Sequence, residues 1–314
     1  MGSRINPGAC PVCGQPCRVL LSGLRDDRFG APGTFDILKC SGCGLEQTWP
    51  RATAGELQEL YERYYNAGVE PGSAYGSLRE RFLATRAYRF WLQWDGDLSF
   101  HLRRGRGRLL DLGCNEGRGL SLYAANGFAA EGLEINAKAA AQARARGFTV
   151  HTLPLEEFSP PAPYDVVVLS NVLEHVPDPV ALLARVRRLL AAGGEVWISC
   201  PNAASVWRRV FGRSWINWHV PYHLWHFSAP TLQEVLARAG LRLTEIKSFT
   251  PALWLAQSLL VSRGHRWLRS PPVVAGLMLA ARLLVLPWFS GANRRLQGDC
   301  LAATAHLEPK PCAC

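Results

Sequence analysis

From residue 105 onward, short apolar runs alternate with stretches whose apolar residues recur at helical spacing. Residues 109–112, 130–135, 149–152, 166–170, 195–200, 241–248 and 300–307 read as strands. Residues 119–126 and 137–146 read as helices, closed by Gly127 and Gly147. Asp178-Pro179 opens a helix over 180–190 that Gly193-Gly194 stops, and Pro230 and Gly240 bracket another. This alternation predicts an α/β domain whose mostly parallel sheet is covered on both faces. Upstream, Leu57, Leu60, Tyr61 and Tyr64 form one helical stripe. A turn-rich break at 68–76 containing Tyr75 follows, then a second helix carrying Phe82, Tyr88, Phe90, Trp91 and Trp94. The pattern divides the chain into 1–50, a helical lead-in at 51–104, and 105–314 with an apolar helical insertion at 251–295.

The pivotal stretch is Leu109-Leu110-Asp111-Leu112-Gly113-Cys114-Asn115-Glu116-Gly117. A buried strand, a glycine turn and a helix start, in that order, let backbone lie against a nucleotide-like ligand. Glu134, at the end of the second strand, stands where a carboxylate reads a ribose.

That run resembles the first motif of the class I S-adenosylmethionine (SAM) methyltransferases, hydrophobic-Asp-x-Gly-Cys-Gly-x-Gly. The likeness continues through Tyr164-Asp165-Val166-Val167-Val168-Leu169-Ser170 with Leu173-Glu174-His175-Val176-Pro177, then Leu189 to Glu195 and Pro201-Asn202. Asn115 replaces the middle glycine, and asparagine is the side chain that best tolerates a left-handed turn. The resemblance implies a Rossmann-like seven-stranded sheet, the last strand antiparallel beside the fifth, and SAM as cofactor. It also implies that Gly113 and Gly117 let the backbone approach the cofactor and that Glu134 accepts both ribose hydroxyls. Thr152 and Leu153 would flank the adenine, and Asn171 would join the cofactor loop. Asp111 would hold the amino acid end, or cap the turn.

Cys10-Pro11-Val12-Cys13-Gly14 and Cys40-Ser41-Gly42-Cys43-Gly44 are two knuckles with the same spacing and the same trailing glycine. Four thiolates in this pattern predict a zinc ribbon with strands near 19–21 and 35–38. With no open coordination position, the zinc is structural; Cys17 is a spare thiol or an alternative ligand.

Asn171, Glu174 and His175 have the spacing of one helical face, and His175 has a pKa suited to taking a proton from an acceptor hydroxyl. It is a general base or part of the cofactor loop's scaffold. Trp218 to Ser228 is dense in histidine and aromatic residues, which predicts an acceptor pocket holding Tyr222, His223 and His226. Spacing alone would let His219, His223 and His226 bind zinc, with no carboxylate evident to complete a site. The ribbon and the Tyr-His-x-x-x-Phe-Ser segment resemble the deoxysugar C-methyltransferases, in which His223 would match the catalytic histidine. The Leu-Glu-His-Val-Pro-Asp-Pro run resembles the ubiquinone-pathway O-methyltransferases, whose acidic and histidine residues there are linked to a divalent metal; Asn171 takes the place of their first glutamate.

Composition adds two expectations. The net charge of +10 comes largely from arginine, which suits an anionic partner or simply reflects base composition. Cysteines in a large chain with a cofactor motif indicate a reducing cytoplasm, and the N-terminus has no apolar signal. The insertion reads as a membrane span, as core, or as an interfacial hairpin over 251–289 with Trp254, Trp267 and Trp288 at headgroup level and Arg263, Arg266 and Arg269 toward phosphates. A peripheral contact would bring a sugar or lipid-linked acceptor to the site; a small soluble acceptor suits the core reading. The rival class is a zinc-ribbon nucleic-acid binder or RNA methyltransferase. The ribbon mixes Arg18, Arg25, Arg28 and Lys39 with Asp26, Asp27 and Asp36, so it lacks the concentrated charge that nucleic acid requires.

Overall fold

The computed structural model describes residues 8–64, 81–83, 85–262 and 271–307. The break at 68–76, the hinge carrying Arg263, His265, Arg266, Trp267 and Arg269, the side chain of Trp288 and the tail with Cys312 and Cys314 lie outside the described residues.

The ribbon opens with β1 (Cys17–Leu24), β2 (Phe35–Cys40) and β3 (Glu46–Trp49), an antiparallel meander. The helix Ala54–Arg63 follows, its first turn closed by Thr53 and Glu56 acting reciprocally as a capping box. Helix Arg86–Asp95 completes the described lead-in.

The large sheet contains β4 (Arg108–Leu112), β5 (Ala129–Leu133), β6 (Val150–His151), β7 (Tyr164–Ser170) and β8 (Leu190–Pro201). A two-residue strand, β9 (Trp225–His226), belongs instead to the ribbon. The last two are β10 (Leu241–Phe249) and β11 (Cys300–Leu307). The order across the sheet is β10-β11-β8-β7-β4-β5-β6. From β6 to β8 the pairs are parallel, whereas β11 runs antiparallel between β8 and β10, as expected for the final strand. Strand order reverses between β4 and β7, so a crevice opens at the carboxyl ends of those two strands.

Apolar residues cover both faces of this sheet. On one side Leu110, Val167, Ile198 and Leu301 pack under Leu183, Val186, Leu232 and Leu236. On the other, Leu109, Val166, Val168 and Trp197 pack with Leu120, Tyr123, Ala140 and Phe128.

Three sequence expectations change. No strand is expected at Glu46–Trp49 or Trp225–His226, yet the two pair antiparallel and extend the ribbon into a four-stranded sheet, β1-β2-β3-β9. Asn171, Glu174 and His175 do not share a helix face: a 3-10 turn spans Leu173–His175, and Asn171 precedes it with φ +54°. The insertion is two helices, Ala252–Ser262 and Pro271–Arg294, and the first is core, with Ala252, Leu255, Ala256, Leu260 and Val261 buried. Arg282, which a membrane-spanning reading would put in hydrocarbon, is 2% exposed and ion-paired with Asp95. Among the described residues no helix is long and apolar enough to cross a membrane.

Candidate functional site

The turn after β4 is held in left-handed conformations at Gly113 (φ +70°), Asn115 (φ +50°) and Gly117 (φ +76°), so asparagine does occupy the position as its tolerance allows. Gly113 N–H donates to Leu133 O at 2.8 Å, tying the turn to β5. A Cβ on Gly117 would lie 2.7 Å from that of Ala143, so this glycine is also demanded by helix packing, a reason its spacing did not reveal. Glu134 closes the loop: its Oε2 accepts from Asn115 N–H at 2.9 Å and its Oε1 from Asn136 N–H at 2.8 Å. Each carboxylate oxygen keeps a second lone pair, so two adjacent hydroxyls can still be received.

Asp111 is 7% exposed, and burial, with the Glu134 charge second, pushes its carboxyl up to about 8. A buried carboxyl in this state is suited to a cationic group, since an ammonium alongside would favour its ionised form. Residues and chemistry therefore fit SAM: Asp111 could hold its amino acid end and Glu134 could receive its ribose. Thr152 and Leu153 lie just past β6, and the Arg144 guanidinium donates to the Thr152 hydroxyl. Asn171 follows β7 with its N–H on Ser199 O at 2.9 Å, and among the described residues its buried Oδ1 has no hydrogen-bond partner.

A Cβ on Gly113 would lie 3.1 Å from Val172 Cγ2, so the 3-10 segment starts against this turn, and it and the loop after β8 bring imidazoles together. The rings of His175 and His223 meet edge to face with centroids 4.7 Å apart, and His219 lies 4.7 Å from His223. Carbonyl oxygens only accept, so the contacts of His175 Nδ1 with Tyr222 O (3.1 Å) and of His223 Nδ1 with Asn217 O (2.9 Å) place a proton on each Nδ1. Nε2 is then the unprotonated nitrogen of each neutral ring, and that of His175 lies 4.0 Å from Glu174 Oε1. Burial holds His175 down to about 4 and His223 well below its ordinary value, so both are neutral near pH 7. Glu174, beside His175, is 1% exposed; among the described residues neither carboxylate oxygen is hydrogen-bonded, and burial raises its pKa to about 8. One donor atom from each of Glu174, His175 and His223 lies within 4.8 Å of the others, which supplies the carboxylate that histidine spacing alone lacked.

Two further side chains join this site from elements that spacing did not connect to it. Tyr61, on the lead-in helix, places its hydroxyl 2.8 Å from His175 Nδ1. Phe29, in the ribbon's first loop, packs edge-on against His219 (5.5 Å) and Tyr222 (5.7 Å). Tyr222 is fully buried. His226 is committed elsewhere, with Nε2 3.1 Å from Thr48 Oγ1 and its ring against Trp218.

In the ribbon, Cys10 Sγ lies 3.8 Å from Cys43 Sγ and Cys13 Sγ 3.3 Å from Cys40 Sγ, with all four sulfurs within 4.8 Å of one another. These separations suit a tetrahedral ion with Zn–S bonds of about 2.3 Å. Cys17 stays outside the set, its Sγ accepting from Gln47 Nε2 at 3.3 Å.

A family model described as a methyltransferase domain matches residues 78–246, more than half of the chain. The chain belongs to the methyltransferase domain family. This methyltransferase-family chain is 34% identical over 117 residues to a ubiquinone biosynthesis O-methyltransferase of Sodalis glossinidius, covering 33% of this chain and 47% of that protein. With the one from Thiobacillus denitrificans it shares 28% identity over 215 residues, covering 63% of this chain and 86% of the relative. The chain spans about half the length of the Sodalis glossinidius and Aromatoleum aromaticum relatives, 47% and 44%. A solved SAM-dependent methyltransferase from Archaeoglobus fulgidus is 20% identical, with 74% of this chain and 99% of that one covered at a TM-score of 0.45.

Proposed function

We propose that this protein transfers the methyl group of SAM to a hydroxyl or carbon of a small-molecule acceptor, with His175 and His223 as the proton-accepting pair. The observation that carries the reading is the meeting of the His175 and His223 rings, their centroids 4.7 Å apart, each with its Nδ1 against a backbone carbonyl. When bound, SAM supplies an electrophilic methyl carbon; the protein's share is to orient the acceptor, exclude water and take its proton. Tyr222 and Phe29 wall the pocket, and His226 shapes it from behind. The family's O-methyltransferase relatives favour a hydroxyl acceptor.

A sugar or lipid-linked acceptor is the finer form of this reading. Its support is the outer face of the helix Pro271–Arg294, where Leu279 is 52% and Leu283 63% exposed, a face suited to a peripheral membrane contact. The ribbon's mixed charges favour such an acceptor over nucleic acid.

A second reading of the same residues has its own observation. A buried Glu174 carboxylate with no hydrogen bond among the described residues, within 4.8 Å of a ring nitrogen of His175 and of His223, suits a divalent ion that would acidify the acceptor hydroxyl. Metal analysis distinguishes the two: one zinc per chain supports the base pair, and a second ion lost in His223→Ala supports the metal.

The test of the function is label transfer from methyl-labelled SAM into lipid, glycan and small-molecule fractions of a cell extract, with vesicle pelleting alongside. Incorporation by the wild type that His175→Ala and His223→Ala lose supports the reading. Absence of SAM binding in calorimetry removes it.

A further inference from the structure

The ribbon and the acceptor loop share a sheet. β9, the end of the histidine-rich segment, pairs antiparallel with β3 through Glu46↔His226 and Gln47↔Trp225. At the join sits Thr48, fully buried. Its N–H donates to Leu224 O at 3.0 Å, and its hydroxyl donates to His223 O at 2.5 Å. That hydroxyl has one proton, now used, so at the 3.1 Å contact with His226 Nε2 it accepts. A single side chain therefore fixes the backbone of one histidine and the tautomer of another.

The connection runs in both directions. Toward the thiolates, Cys40 N–H donates to Leu45 O at 2.9 Å, closing the second knuckle on the residue before β3. Toward the site, Leu224 N–H donates to Glu174 O at 2.8 Å and Trp225 Nε1–H to Val176 O at 2.8 Å, fastening the loop to the 3-10 turn that bears His175. Arg208 pairs with Glu46 at 2.8 Å, and Arg213 donates to Ser22 O and Gly23 O at 2.8 and 2.7 Å, so the ribbon grips the loop at three places.

We infer that Thr48 is a positioning residue for His223, and that through it the four-cysteine centre sets the geometry of the acceptor site. The inference rests on the proposed methyltransferase reading for its functional meaning, though the physical link can be measured without an acceptor. The ribbon is then a wall of the active site whose shape depends on its metal, and loss of the ion loosens the imidazole pair while leaving the cofactor turn, built on β4 and β5, as it was.

The experiment is imidazole ¹⁵N–¹H spectroscopy of the full chain as purified, compared with Thr48→Val, Thr48→Ser and protein whose zinc is removed with a thiol-reactive mercurial followed by chelator. Calorimetry of SAM binding and metal analysis accompany each sample. The expected result is that Thr48→Val retains zinc and SAM affinity within about twofold, yet shifts the His223 and His226 signals and loses the His226 Nε2–H. Thr48→Ser restores the wild-type spectrum, and zinc removal perturbs the same two histidines. Wild-type imidazole signals in Thr48→Val overturn the inference, as does a Thr48→Ser spectrum that matches Thr48→Val. If metal-free protein unfolds, the two Thr48 variants alone decide. Failure of the wild type to bind SAM would count against the methyltransferase reading and leave the spectroscopic comparison intact.

Discussion

His175 and His223 meet edge to face at 4.7 Å although one belongs to the turn after β7 and the other to the loop after β8. Each has its Nδ1 against a main-chain carbonyl, so the two rings are held in the same tautomer by backbone and present the same nitrogen.

Removing either ring should cost turnover and spare the cofactor. A proton acceptor in position contributes about 10²–10⁴-fold, so His175→Ala and His223→Ala should lower methyl incorporation by that order. SAM affinity measured in the same preparations should stay at the wild-type value; full activity in both variants would leave proximity as the only source of catalysis.

The carboxylate at the tip of β5 should govern SAM binding. Glu134 organises Asn115 and Asn136, and in the proposed function its remaining lone pairs receive the ribose. Glu134→Ala should weaken SAM binding by about 1.5–3 kcal/mol, the worth of hydrogen bonds to a charged group. Isothermal calorimetry decides this, and unchanged affinity would move the ribose elsewhere.

Buried Glu174 should leave a signature in the pH dependence of stability. Burial raises its pKa from 4.5 to about 8, so the folded protein keeps a proton that the unfolded chain releases. Its contribution is fully present below pH 4.5 and is lost as pH rises toward about 8. Glu174→Gln removes that titration, and its melting temperature relative to wild type should climb steadily across the same window. His175 works in the opposite sense: its pKa is lowered by burial from 6.5 to about 4, so stability is lost as pH falls between those values. Parallel melting curves for wild type and Glu174→Gln across pH 5–8 would contradict a neutral Glu174 in the fold.

The pair between Arg282 and Asp95 anchors the insertion. Arg282 Nε donates to Asp95 Oδ1 at 2.6 Å and its Nη2 to Asp95 O and Thr250 O at 2.8 and 2.9 Å, while Asp95 also receives Ala252 N–H at 3.0 Å. Arg282→Ala leaves a buried carboxylate uncompensated and should cost about 3–5 kcal/mol in urea unfolding. Replacing both partners, Arg282→Met with Asp95→Leu, should recover much of that loss.

Metal removal should act on the ribbon first. Cys10→Ser and Cys43→Ser should lower melting temperature and soluble yield, because the buried cluster of Cys10, Cys17, Leu38 and Cys40 is small. Elemental analysis of protein purified without chelator should find zinc, and a zinc-free wild type of normal stability would end the ribbon reading.

Periodicity and local motif settled what depends on neighbours along the chain. Strand and helix alternation, the capped helix at Asp178, the left-handed Asn115 and the paired cysteine knuckles each express a preference of a few adjacent residues, and all are legible from 314 letters. The seventh strand was legible too, since Cys300–Leu307 is an apolar run between turn residues. What only the tertiary structure decided are the meetings across long sequence separation. Spacing carries no trace of Thr48 reaching His223, of Phe29 against Tyr222, or of Glu174 joining His223, because each contact is made by packing between elements whose order in the chain does not encode their distance. Arg282 shows the same limit from the other side: within its own helix it reads as a charge in an apolar run, and only Asp95, brought there by a separate helix, makes its burial affordable in free energy.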